Sequence, residues 1–139
     1  MTLEQANAIV GGALAEGARL GLKPLSIAVL DAGGHLVAFQ RQDGSSTLRP
    51  QIACGKAGTA LALGQSSRKT GEVAAERPSF TASLGAIAPH GIIPAAGGVI
   101  ALDRSGRPLG AVGVTGDTSD NDEACALAGI AAAGLEAQL

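Results

Sequence analysis

Two segments of the chain repeat one pattern, and this repeat limits the fold more than any other feature. Ile27–Asp31 and Val99–Asp103 are apolar runs that end in aspartate, and each is followed by a glycine-containing turn and a second apolar run. Because glycine tolerates the positive φ of a tight hairpin turn, each segment is predicted to form two antiparallel strands. The predicted strands, which we expect to share one sheet, are Ser26–Leu30, His35–Gln40, Gly97–Leu102 and Leu109–Thr115.

Helical patterns precede, separate and follow the two hairpins. Thr2, followed by apolar residues at helical spacing, predicts an N-capped helix that ends at Gly21. Leu48–Leu63 is predicted to be a second helix, with Pro50 in its first turn. Ser119 is predicted to begin a last helix that runs to the C-terminus. Two hairpins with helices at both ends of the chain indicate an α+β fold. A dinucleotide-binding fold is not indicated, because no predicted helix begins with a GxGxxG motif.

An irregular stretch separates the central helix from the second hairpin. It runs from Gly64 to Pro94 and contains three prolines. Two short helices are predicted within it, near Thr70–Glu76 and Phe80–Ile87. A stretch this long is more than a connection needs, and such segments commonly build functional sites.

Length and charge argue against several classes of protein. The 139 residues are expected to form one domain, residues 1–139. A net charge of −2 argues against a nucleic-acid partner, which requires a basic surface. No run approaches the ~18 apolar residues of a membrane span, and no basic and apolar leader follows Met1. We therefore expect no membrane partner and a cytoplasmic location.

Large side chains are scarce in this chain. Phe39 and Phe80 are its only aromatic residues, whereas glycine occurs 21 times. Helices and sheet must then approach one another over alanine and glycine, which makes a thin core. Further burial between subunits would stabilise such a fold, so we predict a homo-oligomer; a tightly packed monomer is the alternative. Cys54 and Cys125 lack CxxC spacing and are expected to be buried small apolar residues.

Four stretches of the chain resemble the GlcG/HbpS family, which includes the C-terminal domain of PduO-type proteins. They are the N-terminal helix, D-x-G-G-x-L-V at Asp31–Val37, IACGKAGTAL at Ile52–Leu61, and the long motif Gly97–Ile130. The resemblance covers essentially the whole chain. It implies a profilin-like fold, in which an antiparallel sheet of about five strands packs against helices, and it implies a homo-oligomer.

The resemblance implies less about function than about fold. Some members of the family bind haem and are linked to redox sensing or haem breakdown. Others are encoded beside catabolic genes for glycolate, diols or aromatic acids, and some of these look like enzymes that act on small acids.

Two cations lie on the otherwise apolar central helix. Arg49 and Lys56 are two turns apart on one face, roughly 10 Å along the axis. Arginine offers a fork of donors to a carboxylate and lysine a point charge, so this face predicts a site for a small anionic organic molecule. Arg41 and Arg77 are candidates for the same site. A helix face exposed to solvent is the alternative interpretation.

Three side chains are candidate proton carriers. His90, in the irregular stretch, suits a general acid or base near neutral pH, or the axial ligand of haem iron; a loop histidine with only structural contacts is the alternative. Asp120 and Glu123 lie where the last helix begins. Carboxylates there complement the helix N-terminus, and they can also move a proton on a bound anion, with the backbone of Gly116 as a wall of close approach. These acids lack defined ligand spacing, so no metal site is predicted.

Three functions remain open on the sequence. The first is an enzyme without a cofactor, of tautomerase, hydratase or hydrolytic lyase type, acting on a small unsaturated carboxylic acid; the chain contains no nicotinamide, flavin or nucleotide motif. The second is a haem-binding, haem-storage or redox-sensing module, although the chain has no tyrosine and no methionine after Met1. The third is an accessory oligomer without catalytic activity.

Overall fold

The computed structural model describes residues 1–139 and contains five helices and five strands. The helices are α1 (Leu3–Leu20), α2 (Arg49–Leu63), α3 (Ser67–Glu76), α4 (Pro78–Leu84) and α5 (Ser119–Ala132). The strands are β1 (Ser26–Asp31), β2 (Leu36–Arg41), β3 (Gly98–Leu102), β4 (Pro108–Thr115) and β5 (Glu136–Gln138). The predicted α+β class is confirmed.

The five strands form one antiparallel sheet in the order β2-β1-β4-β3-β5. Both predicted hairpins are present, and they join through β1 and β4. The repeated aspartate has the same role in each turn. Asp31 Oδ1 accepts hydrogen bonds from the backbone of Gly33 and His35, and Asp103 Oδ1 accepts them from Ser105 and Arg107.

Helices cover both faces of the sheet. On one face, α1 and α5 pack against β-branched side chains of the strands, among them Ile27, Val29, Val112 and Val114. On the other face, Ala57 and Ala60 of α2 pack against Leu30, Ile100 and Ala111. The core therefore has two parts separated by the sheet, and alanine supplies most of the smaller one.

Glycine in the strands lets α2 lie directly on the sheet. A Cβ atom on Gly113 would collide with the carbonyl oxygen of Ala53, and one on Gly98 would collide with the carbonyl oxygen of Lys56. At these two positions no side chain therefore fits between α2 and strands β3 and β4. This close approach brings the side chain of Lys56 to the end of the sheet.

The C-terminus departs from the predicted helix. Helix α5 ends at Ala132, and Gly134, with φ of 69°, turns the chain back into β5. A glycine in the left-handed region commonly ends a helix, and the free edge of β3 supplies backbone partners for the residues that follow. In the irregular stretch, α3 begins earlier than predicted because Ser66 caps it, and α4 begins at Pro78. None of the five helices combines the length and the hydropathy needed to cross a lipid bilayer.

Candidate functional site

Arg49 is anchored where β4 ends. Its Nη1 donates a hydrogen bond of 2.7 Å to Thr115 Oγ1, and the side chain is half-buried. Arg49 forms no ion pair with a carboxylate, unlike Arg19, Arg68 and Arg107. Most N–H groups of its guanidinium are therefore free to bind a ligand.

Lys56 lies in a buried ion pair. Its Nζ is 2.8 Å from Asp122 Oδ2 and also donates to the carbonyl oxygen of Val114, and the two charged side chains are only 4% and 2% exposed. Burial lowers the pKa of Lys56 and raises the pKa of Asp122, and in each case the charged partner opposes the shift. The carboxylate that Lys56 binds is thus one of the chain's own, which leaves one N–H for any ligand.

Asp120 and Glu123 share a partner that sequence reasoning missed. Arg68 of α3 binds Asp120 Oδ1 through Nη2 at 2.5 Å and Glu123 Oε1 through Nε at 2.8 Å. The second oxygen of Glu123, Oε2, is buried and has no hydrogen-bond partner. No local pattern marks Arg68, because its partners are 52 and 55 residues away along the chain.

His90 lies over α2 with a defined hydrogen bond. Its Nε2 is 2.7 Å from the carbonyl oxygen of Gly34 in the first hairpin turn. A carbonyl oxygen only accepts, so Nε2 carries a proton, and in the neutral ring the lone pair is on Nδ1. The ring rests against Gly58, where a Cβ atom would come within 2.9 Å of the ring carbons.

The structure does not bring His90 together with Arg49 and Lys56. Lys56 and Gly58 are two positions apart on α2 and therefore point about 200° apart around the helix. Lys56 is turned toward the sheet, and His90 packs on the side of α2 that faces away from it. The two groups of predicted site residues occupy opposite faces of one helix.

A groove runs along α2 at His90. Two depressions of about 200 and 380 Å3 meet at Pro89 and His90. The smaller one is lined further by Ala32, Gly33, Gly34, Gly58, Leu61, Ala62 and Ala88. The larger one is lined further by Pro50, Gln51 and Cys54. The groove thus combines one imidazole with mostly small and apolar walls.

The two cysteines differ in their surroundings. Cys125 is fully buried, as predicted, and burial raises the pKa of its thiol to about 11. Cys54 is only half-buried and lines the groove beside His90. Burial raises the pKa of the Cys54 thiol as well, so the thiol form dominates near neutral pH.

The remaining predicted residues lie at three different places. Arg41 is exposed at the end of β2 and borders an open groove of about 460 Å3. Arg77 is exposed and lies over the ring of Phe80, 4.1 Å from its centre. Gly116 makes its close approach to the chain itself, because a Cβ atom there would collide with the carbonyl oxygen of Pro24.

Comparison with known proteins identifies the family. The family model described as haem degrading protein HbpS-like matches residues 1–131. The chain belongs to the HbpS-like family. The resemblance seen in the sequence motifs is therefore confirmed. No curated protein matches this HbpS-like chain.

Solved structures share the fold of this HbpS-like protein over nearly its whole length. The PduOC:heme complex is 20% identical, with a TM-score of 0.86 over 100% of this chain and 99% of that one. The Klebsiella pneumoniae protein ORFY is 22% identical, with a TM-score of 0.85 over 96% and 90%. HbpS is 27% identical, with a TM-score of 0.80 over 94% and 88%.

Proposed function

We propose that this HbpS-like protein binds haem in the groove at His90. The family is described by haem degradation, and the structurally similar PduOC was crystallised with haem. The observation that carries the proposal is the hydrogen bond from His90 Nε2 to Gly34. Metal-ligating histidines typically donate one ring N–H to such a carbonyl, which orients the ring and leaves the other nitrogen for the metal.

The residues of the groove fit haem, because they combine one histidine as a ligand for the iron with an open and mostly apolar surface for the porphyrin. His90 would hold the iron, and Leu61, Ala62, Ala88 and Pro89 would offer apolar contact to the porphyrin. Pockets that enclose drug-sized ligands measure about 300–1,000 Å3, and the 200 Å3 depression is smaller. Part of the porphyrin would therefore extend beyond one copy of the chain. When bound, haem supplies a redox-active iron centre whose properties depend on the axial ligand and on burial.

A haemin titration followed by visible spectroscopy tests the proposal. We expect a sharpened Soret band with the unaltered protein and loss of that band in His90→Ala. His35→Ala is the matched control, because the His35 ring is 81% exposed and bonded to Asp31 outside the groove. An unchanged Soret band in His90→Ala, or no band with any variant, contradicts the proposal.

A second candidate is acid–base catalysis without a cofactor on a small unsaturated carboxylic acid, by tautomerisation, hydration or hydrolytic loss of a group. The observation that favours it is the buried Lys56–Asp122 pair beside the unpaired guanidinium of Arg49. Burial shifts the two pKa values of the pair toward each other, which makes proton exchange easier. Glu123, with one unpartnered oxygen, is a further proton carrier on this side of α2, whereas His90 lies on the other side.

Turnover of unsaturated acids, followed by loss of ultraviolet absorbance, tests this second candidate. We expect turnover to fall at least about a hundredfold in Asp122→Asn, the usual size of an acid–base contribution, under conditions where circular dichroism shows that the variant is folded, and to persist in Arg104→Gln, in the exposed turn between β3 and β4. Turnover that is equal in both variants contradicts the assignment.

We further propose that the protein assembles as a homo-oligomer in the cytoplasm. Ile87 is 80% exposed and Phe80 lies near it in sequence, also exposed, which supports an interface around α4. Both cysteines are free thiols, as expected in a reducing compartment. An accessory oligomer without activity is the function that follows if neither haem binding nor turnover is observed.

A further inference from the structure

We propose that Arg41 and Arg49 form a binding site for a small dicarboxylate at the end of the sheet where β1 begins and β2 and β4 end. This site lies apart from the groove at His90. The proposed ligand specifies the substrate class of the acid–base function, and the inference rests on that function for its chemistry. Ligand binding is measured independently of catalysis.

Strand register places three polar side chains in a row. Ser26 pairs with Arg41 across β1 and β2, and with Thr115 across β1 and β4. Directly opposed residues of antiparallel strands place their side chains on the same face of the sheet. Leu30, on the same face of β1 as Ser26, packs against Ala57. The row Arg41, Ser26, Thr115 therefore lies on the face that α2 covers.

Arg49 closes the row at its far end. Its Nη1 binds Thr115 Oγ1 at 2.7 Å, so its guanidinium lies two strands away from the backbone of Arg41. Strands are ≈ 4.8 Å apart, which separates Arg41 from Thr115 by about 10 Å. The hydroxyl groups of Ser26 and Ser45, 2.8 Å apart, lie between the two arginines.

The charge around the row is positive and uncompensated. Neither Arg41 nor Arg49 belongs to an ion pair, and Asp122 is already bound to Lys56. The first turn of α2 contains no acidic residue, and its N-terminus has no side-chain cap. A half-buried guanidinium without a counter-ion is costly, and a carboxylate satisfies it through two parallel hydrogen bonds. Asp43, the acid in the adjoining loop, is exposed and forms no ion pair.

The spacing of the two arginines selects the class of ligand. One carboxylate of a dicarboxylate binds each guanidinium, and the half-buried Ser45, which lies over the fully buried Ser26, is the polar residue between them. A monocarboxylate or a phosphate ion is compact and engages one arginine at a time.

Calorimetric titration of the haem-free protein with fumarate, acetate and inorganic phosphate at constant ionic strength tests the proposal. We expect fumarate to bind at least about tenfold more tightly than acetate or phosphate, and Arg41→Gln and Arg49→Lys each to weaken it at least about tenfold. Arg49→Lys keeps the charge and removes the fork, and Arg41 is exposed, so neither variant depends on refolding of a damaged core. Arg104→Gln, in the exposed turn between β3 and β4, is the control that should bind fumarate normally.

Several results overturn the site. They are fumarate binding that is unchanged in both arginine variants, phosphate or acetate binding as tight as fumarate, and no binding of fumarate at all. Binding of fumarate without turnover of any unsaturated acid supports the site and contradicts the acid–base function. Turnover that is unaffected in Arg41→Gln and Arg49→Lys supports that function and contradicts the site.

Discussion

At the scale of single residues, the buried charges matter most. Lys56 and Asp122 are removed from water together, and each supplies the opposite charge that offsets the burial of the other. The pair joins α2 to α5, which cover opposite faces of the sheet. Its position at the open end of β4, beside Arg49, makes it both a structural link and a candidate proton relay.

Removal of one member of this pair is expected to destabilise the fold severely. Lys56→Met leaves the carboxylate of Asp122 buried without a charged partner, with only the backbone N–H of Asp117 still bound to it, and breaking a buried pair in this way costs about 3–5 kcal/mol. The free energy of unfolding in urea measures the loss. The double variant Lys56→Met, Asp122→Leu should recover part of it, because no charge is then buried alone. Equal stability of the single and double variants would argue that the pair is not what the single change disrupts.

The hydrogen bonds to Asp117 predict that the stability of the fold decreases at low pH. Hydrogen bonds from Asn121, Thr118 and Lys23 lower the pKa of this carboxyl to about 2, well below its ordinary value near 3.9. A carboxyl whose folded pKa is depressed stabilises the fold above its unfolded pKa, and this contribution is lost as the pH falls toward 2. We expect Asp117→Asn to flatten the fall in thermal midpoint between pH 4 and pH 2, with Asp43→Asn as the exposed control. A parallel pH profile in Asp117→Asn would contradict this assignment.

At the scale of elements, α2 touches the sheet partly through backbone, at Gly98 and Gly113, and partly through small side chains. These two glycines leave no room for a side chain between α2 and the strands at their positions, which draws the helix close to the sheet. The chain has two phenylalanines and no larger aromatic residue. It can still pack the smaller core between α2 and the sheet, because small residues on both elements let them approach closely.

Gly113→Ala is expected to push α2 away from β4. The added methyl group would collide with the carbonyl oxygen of Ala53, a backbone atom that cannot rotate away. Overpacking of this kind costs roughly 1–3 kcal/mol or more. Gly11→Ala is the opposite control, because a Cβ atom on α1 there meets nothing within 4 Å, and alanine stabilises a helix interior by about 0.5–1 kcal/mol. Denaturant titration of both variants should give shifts of opposite sign.

At the scale of the whole molecule, the exposed apolar residues concern assembly. Ile87, Leu48, Leu36 and Leu3 are each more than half exposed. Ile87 follows α4, a helix that packs on α3 and leaves Phe80 partly exposed. A second copy packed against α4 would bury Ile87 and Phe80 and help to cover the groove at His90.

Sedimentation velocity tests this assembly. We expect a sedimentation coefficient above that of a 13.5 kDa monomer, and a shift toward the monomer in Ile87→Glu, because a buried unpaired charge opposes the interface. Glu76→Ala, at the end of α3, is the control for a surface change. Monomeric sedimentation of the unaltered protein at micromolar concentration would contradict the prediction.

Much of the fold follows from the sequence by itself, because its signals are local. The aspartate–glycine turns define both hairpins, Thr2 and Gly21 bound α1, and the motifs of Gly97–Ile130 indicate the family. Each of these depends on residues that are near one another in the chain. The resemblance implies about five strands, but the place of the fifth does not follow from local signals, because its three residues become a strand only where the free edge of β3 accepts them.

The tertiary structure alone decided how the site residues are grouped. The sequence places Arg49 and Lys56 on one helix face. In the structure, Lys56 is buried and paired with Asp122, 66 residues away, whereas Arg49 has no ion-pair partner. His90 was assigned to the same site, and it lies on the opposite side of α2 because the segment after α4 returns over the outer face of that helix. Helical periodicity predicts which residues share a face of a helix. Which part of the chain packs against that face depends on contacts between segments far apart in the sequence.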